Sequence, residues 1–257
     1  MRKLIRIILF ISFVSIFLTS CSNDKEETET SKNFIKIIQT TENGVSEHSV
    51  FAYFDNQIIS SDNPKENISY TYKDGLITKI VSYDKLNQLT LTLDYAYLRG
   101  KLIKITSSDD EVTYYTHNSN GTVYYEKYKL NSQNKEELVH HGTLFFEDEN
   151  LVKDERVFDD EDEELANATT SFEYDAFKNP YSSILGYDKL LDKGVAVSKN
   201  NPLITVAETT IVVSGQTISS ANVYRNEFEY DADDYPTEQV SEASIDNPNY
   251  LKILYLY

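Results

Sequence analysis

The sequence predicts an all-β fold, an antiparallel meander of aromatic-rich hairpins forming a curled or stacked sheet. Three observations predict it. Twenty tyrosines and twelve phenylalanines stand among 257 residues, and these side chains favour strands. Alternating apolar and polar runs are broken by pairs such as Asp74-Gly75 and Asp55-Asn56, the chemistry of two-residue hairpin loops. Only one stretch has helical periodicity.

The hairpins come first because they repeat. Tyr70 to Ile80 aligns without gaps on Tyr95 to Ile105, both reading Tyr-x-Tyr-x-x-Gly-x-aliphatic-x-Lys-Ile, so that Tyr70, Tyr72 and Gly75 match Tyr95, Tyr97 and Gly100. Weaker copies run from Phe51 to Ile58 and from Leu144 to Lys153. Two-residue loops fall on Asp74-Gly75, Arg99-Gly100, Asp55-Asn56 and Asp148-Glu149. The second loop residue needs positive φ, which Glu149 resists, so that hairpin is expected to turn one residue later.

Counting outward from each loop pairs Tyr72 with Ile77, Tyr97 with Leu102, Tyr53 with Ile58 and Phe146 with Leu151. Such pairs stabilise a sheet by roughly 0.2–1 kcal/mol each. Two positions further out, Tyr70 is expected opposite Lys79 and Tyr95 opposite Lys104. On the other face Ala96 would meet Ile103 and Phe145 would meet Val152, which predicts burial on both sides of parts of the sheet. The one short helix is expected near 183–192, where Ile184, Tyr187, Leu190 and Leu191 lie close to one face and Gly194 can stop it.

The N-terminus carries an address. Arg2, Lys3 and Arg6 precede the apolar run Ile7 to Leu18, which is a secretory signal plan and too short to span a bilayer, for which about 20 residues are needed. Leu18, Thr19 and Ser20 before Cys21 resemble the bacterial lipobox, which implies cleavage before Cys21 and lipid on it. Cys21 is the only cysteine, so no disulfide can form within the chain. Residues 1–20 then form the signal peptide, 21–32 an acidic flexible tether, and 33–257 the hairpin-repeat domain. The tether resembles the acidic export signal that sends many Bacteroidota lipoproteins to the cell surface; the resemblance implies an outer-membrane lipoprotein, at the surface or else on the periplasmic face.

Charge limits the partners. Removing residues 1–20 takes away three basic residues and no acid, moving the formal charge from −18 to −21. So acidic a chain repels phosphate backbones, and nucleic acid is excluded as a partner class.

A second motif runs from Phe172 through Tyr174, Asp175 and Pro180, and again from Phe228 through Tyr230, Asp231 and Pro236. These Tyr-Asp turns resemble the YD (Rhs-type) repeat, and the whole series is similar to a group of uncharacterised Bacteroidota lipoproteins. Ser198-Lys199-Asn200-Asn201 and the Tyr-rich C-terminus fit that group's pattern. Asp234 departs from it, standing where glycine is usual. The resemblance implies no activity.

Chemistry is sparse. Asp159, Asp160 and Asp162 lie in a run of six acids and could ligate calcium, but the run lacks an EF-hand's glycine and closing glutamate. His140 and His141 are adjacent, which puts them on opposite faces of a strand and prevents chelation of one ion. No Gly-x-Ser-x-Gly, His-Glu-x-x-His or glycine-rich phosphate loop occurs. No cofactor is expected, and the sequence favours a non-catalytic binding or structural role over an enzyme. A carbohydrate-binding accessory of a glycan-uptake system, with exposed tyrosines as its platform, is the alternative.

Overall fold

The computed structural model describes residues 32–41, 44–158, 166–213, 216–242 and 251–257. The signal, Cys21 with its lipobox, nearly all of the tether and the acids Asp159, Asp160 and Asp162 lie outside them. The strands are β1 (Lys36–Thr41), β2 (Ser46–Phe54), β3 (Gln57–Asp62), β4 (Glu66–Lys73), β5 (Leu76–Asp84), β6 (Leu89–Leu98), β7 (Lys101–Ser107) and β8 (Glu111–His117). They continue as β9 (Val123–Leu130), β10 (Glu136–Glu147), β11 (Asn150–Phe158), β12 (Ala166–Tyr174), β13 (Pro202–Val213), β14 (Gln216–Tyr230), β15 (Pro236–Glu242) and β16 (Leu251–Leu256).

Each strand pairs antiparallel with its neighbours in sequence, and β16 returns to β1 from Lys36↔Leu256 to Thr41↔Leu251. The meander is as expected, but the sheet is a closed barrel, not a curled or stacked one. Closure satisfies both edge strands at once, which stacking leaves undone.

The four repeat hairpins share one irregularity. Tyr53↔Ile58, Tyr72↔Ile77, Tyr97↔Leu102 and Phe146↔Leu151 pair as expected. The next residue of each outgoing strand, Ile59, Thr78, Ile103 or Val152, is then skipped by the ladder. This is a β-bulge, which adds a residue to one strand and sharpens its twist. It corrects the outer pairings: Tyr70 faces Ile80 and Tyr95 faces Ile105, not Lys79 and Lys104. Ala96 faces Lys104, and Phe145 faces Lys153, whose ammonium sits 4.0 Å from the ring centroid. Because of the bulge, Ile77 and Ile80 both turn inward and are buried, as are Leu102 and Ile105.

Glu149 does not shift its turn. Asp148 and Glu149 both take positive φ, 47° and 65°, and the strained residue is held from outside. The Lys199 N–H donates to its carbonyl at 3.2 Å and the Lys199 ammonium to its carboxylate at 3.0 Å. Asp234 likewise adopts φ 67°, its carbonyl accepting from the Lys178 N–H at 3.1 Å.

Between β12 and β13 the chain leaves the wall for residues 175–201 and plugs one end of the barrel. The expected helix is a pair of short 3-10 helices, Tyr187–Lys189 and Leu191–Val197, separated from a regular α-helix by left-handed Gly186 and Gly194. Ile184, Tyr187 and Leu190 are buried in one cluster with Phe34, Ile58, Ile77, Leu102, Leu144 and Leu151 of the inner wall. The Tyr-Asp residues tie this plug down. Asp175 accepts from the backbone N–H groups of Phe177 and Asn201, both at 3.0 Å, and from the Tyr230 hydroxyl. The Tyr230 ring stacks on Phe177 at 4.1 Å. Asp231 accepts from the Asp233 and Tyr235 N–H groups and pairs with Lys32 at 2.5 Å. Tyr174 donates to the Leu151 carbonyl at 2.5 Å, and the Ser198 hydroxyl accepts from the Leu151 N–H. Pro180 and Pro236 are buried beside these turns.

The plug rests on the hairpin tips. The Leu185 N–H donates to the Asn56 carbonyl at 2.9 Å, and a Cβ on Gly186 would stand 2.7 Å from the Gly75 carbonyl oxygen. Gly44 has the same φ of 72° with nothing within 4 Å. Both glycine-to-alanine changes incur about 1–2 kcal/mol of left-handed strain. Gly186→Ala is expected to lower the thermal midpoint clearly more than Gly44→Ala, the difference reporting the plug contact.

Candidate functional site in the barrel lumen

Alternation along each strand gives the barrel an apolar interior near the plug and a polar exterior. Facing outward are ion pairs between Lys79 and Asp94 (3.1 Å), Lys153 and Glu155 (2.8 Å) and Lys252 and Glu238 (2.5 Å), with exposed Asn67, Ser69 and Thr71 on β4. The apolar pairs expected on this outer face, Ala96 with Ile103 and Phe145 with Val152, are replaced by Ala96 with Lys104 and Phe145 with Lys153.

The repeat tyrosines Tyr70, Tyr72, Tyr95 and Tyr97 point inward and pack against the core. The Tyr72 hydroxyl oxygen accepts from the Ile58 N–H at 3.2 Å, Tyr97 donates to the Ile77 carbonyl at 2.8 Å, and Tyr95 donates to Asp192 of the plug at 3.0 Å. A sugar-stacking platform of exposed repeat tyrosines is therefore not present. Gly75 and Gly100 take φ of 76° and 75° in their turns, as the hairpin chemistry requires.

Further from the plug the inner wall becomes polar. The Ser241 hydroxyl donates to Asn226 at 2.7 Å, and the Tyr255 hydroxyl to Gln239 at 2.8 Å. On β8 to β11 a cavity of about 270 Å³ is lined by Tyr115, Tyr125, Lys127, His140, Asp154 and Arg156, and closed below by Leu191, Asp192 and Gly194 of the plug. Tyr125 donates to Asp154 at 2.8 Å, the Arg156 Nε donates to the Tyr125 oxygen at 3.1 Å, and Arg156 Nη2 meets Asp154 at 3.1 Å. Gly142 makes room for this triad, since a Cβ there would lie 2.6 Å from the Tyr125 ring. Lys127 pairs with Glu111 at 2.6 Å and Lys193 with Asp192 at 2.9 Å, so these cations bring their own counter-charges.

No sequence expectation attached to Asp154 or Arg156. Their i, i+2 spacing, which aims both side chains at one face of a strand, is the signal that could have found them. His140 faces the lumen and His141 the outside, with Tyr125 and Tyr124 as ring neighbours at 6.0 Å each. Among the described residues no group of three His, Cys, Asp or Glu is placed to hold a metal ion, and no helix is long and apolar enough to cross a membrane.

No family model and no curated protein matches the chain. Solved structures do. A porin-like protein from Bacteroides vulgatus ATCC 8482 superposes with a TM-score of 0.58 at 12% identity, over 88% of this chain and 98% of that one. The chain has a porin-like fold. A porin-like protein from Bacteroides uniformis ATCC 8492 aligns at 10% identity over 86% of this chain and 96% of that one, with a TM-score of 0.41. The porin-like likeness overturns the resemblance to YD (Rhs-type) repeats: the hairpins are staves of one closed barrel, and their Tyr-Asp residues are turn anchors.

Burial raises the lumen phenols above the ordinary value near 10. Tyr125 is pushed up to about 12 by burial, against the opposing Arg156 hydrogen bond, and Tyr72, Tyr174 and Tyr181 reach about 12 chiefly through burial. Tyr95 is raised further, by burial and then by Asp192. A raised folded-state pKa means stability that is complete below pH about 10, where the unfolded phenol titrates, and lost as pH rises toward 12. Spectrophotometric titration at alkaline pH should show these tyrosines ionising together with loss of the β-sheet signal; ionisation near pH 10 with the sheet intact would contradict the packing.

Proposed function

We propose that this chain is a non-catalytic, outer-membrane-associated barrel that stands beside the bilayer, held by lipid on Cys21, and binds ligand in its lumen instead of conducting solutes. The polarity of the outer wall carries the reading. A membrane barrel presents an apolar band about 25 Å tall, and Lys or Arg at mid-bilayer costs about 2–4 kcal/mol; here charged pairs occupy that wall. β1, β3 and β16 have six residues each, short of the roughly 9–11 needed to cross. Sixteen-stranded porins leave an aqueous channel, whereas the plug fills this lumen at one end.

The wild-type protein is expected to give no conductance steps in planar bilayers. Cys21→Ser is expected to move from the detergent phase to the aqueous phase in cloud-point partition and to lose acyl labelling. Conductance, or a Cys21→Ser protein that still needs detergent, would sink the proposal.

The cavity favours a neutral polyol, the surviving form of the glycan reading. Its charges are already paired, so a charged ligand would lack a counter-ion, while Asp154, Arg156 and Tyr125 offer fixed acceptors and donors beside an aromatic ring. Calorimetry against neutral mono- and disaccharides should detect binding that Arg156→Ala weakens tenfold or more; binding of none, or binding indifferent to Arg156, would remove this ligand class.

A further inference from the structure

The outside of the barrel at the plugged end departs from its polar surroundings along β16, β1, β2 and β3. Ile35 is 54% exposed, Val50 54%, Phe54 68%, Ile59 41% and Leu256 41%. They are neighbours in the wall. Lys36 pairs with Leu256 on one side and Val50 on the other; the Ile35 N–H donates to the Leu256 carbonyl at 2.7 Å and the Ile35 carbonyl accepts from the Phe51 N–H at 2.9 Å. Ile59 is the bulge residue of β3, beside the Tyr53↔Ile58 pair. Single exposed apolar residues are ordinary, but a contiguous patch marks a surface that meets something apolar.

We propose that this strip rests in the headgroup region of the bilayer, so that the barrel stands with its plugged end toward the membrane. The proposal rests on acylation of Cys21. Two observations select a lipid surface over another occupant. The chain enters the barrel at this end, where Phe34 is fully buried, Asn33 donates to the Asp55 carbonyl at 3.3 Å and Lys32 pairs with Asp231. Lys32 stands eleven residues after Cys21, a reach of at most about 40 Å, so an anchored lipid keeps this rim close to the bilayer. Lys36, at the centre of the strip, can lay its stem along the apolar surface and its ammonium against phosphate.

The chain has no tryptophan, so single reporters are unambiguous. Full-length acylated Phe54→Trp and Leu86→Trp proteins are reconstituted on phosphatidylethanolamine–phosphatidylglycerol vesicles containing brominated acyl chains. Leu86 is 83% exposed in the β5–β6 turn at the opposite end. Trp emission from position 54 should shift to the blue and lose at least half its intensity to the bromines, while that from position 86 should do neither. Should Phe54→Trp fail to fold by circular dichroism, Val50→Trp replaces it with the same expectation. Acylated protein that floats with the vesicles but shows no quenching at position 54, or equal quenching at both positions, overturns the docking and leaves the anchor standing. A blue shift that grows with protein concentration without quenching assigns the strip to a second copy and also overturns it. Wild-type protein found to carry no acyl chain, or Cys21→Ser protein that floats as well as the acylated form, overturns the anchor and this orientation together.

Discussion

Closure of β1 against β16 is the constraint on which the rest of the molecule depends. Six register pairs, from Lys36↔Leu256 to Thr41↔Leu251, join the first strand to the last, and with them a long ribbon of hairpins acquires an inside. Without that seam two edges would be left open to association with other chains, and Phe34, packed edge-to-face against Phe51, Tyr181 and Tyr255, would lose the partners brought from the far end of the sequence. The inside so created is wide for side chains alone. A segment of the chain fills part of it, and the buried contacts of Ile184, Tyr187 and Leu190 make plug and wall a single core.

From this inside follows the distribution of polarity. The bulge after each repeat turn steers aliphatic residues of the outgoing strand inward, as with Ile77 and Ile80, and leaves Lys79 to pair with Asp94 on the outer wall. A porin-like fold is thereby combined with a lumen divided into an apolar, plugged half and a polar half. The Tyr125–Asp154–Arg156 triad sits at that division. Gly142 admits the Tyr125 ring, so the wall and the triad are shaped by the same packing.

What was legible in the sequence is what local chemistry decides. Asp74-Gly75 and Arg99-Gly100 announce their turns, and counting outward from them finds the Tyr72–Ile77 and Tyr97–Leu102 pairs. The count fails one step later because a bulge has no residue signature here: Ile103 and Val152 are apolar and look like members of a second buried face. Glu149 hid its left-handed turn because Lys199, which holds it, lies 50 residues away. The seam could not be read at all, since nothing local marks Lys36 and Leu256 as partners. The helical stretch was visible through Tyr187 and Leu190, but its role as a plug depends on Gly186 lying against Gly75. Of the candidate site, only the i, i+2 spacing of Asp154 and Arg156 left a trace, and the inward aim of the tyrosines required the closed wall to be known.

The central claim is that this barrel faces water on its outside and stands beside a bilayer without crossing it. Neutron reflectometry of the acylated protein on a supported bilayer with deuterated chains tests it most directly, because protein and hydrocarbon are located along the same axis. The account predicts a protein layer outside the hydrocarbon with none of its density inside; protein density continuous through the hydrocarbon would contradict it.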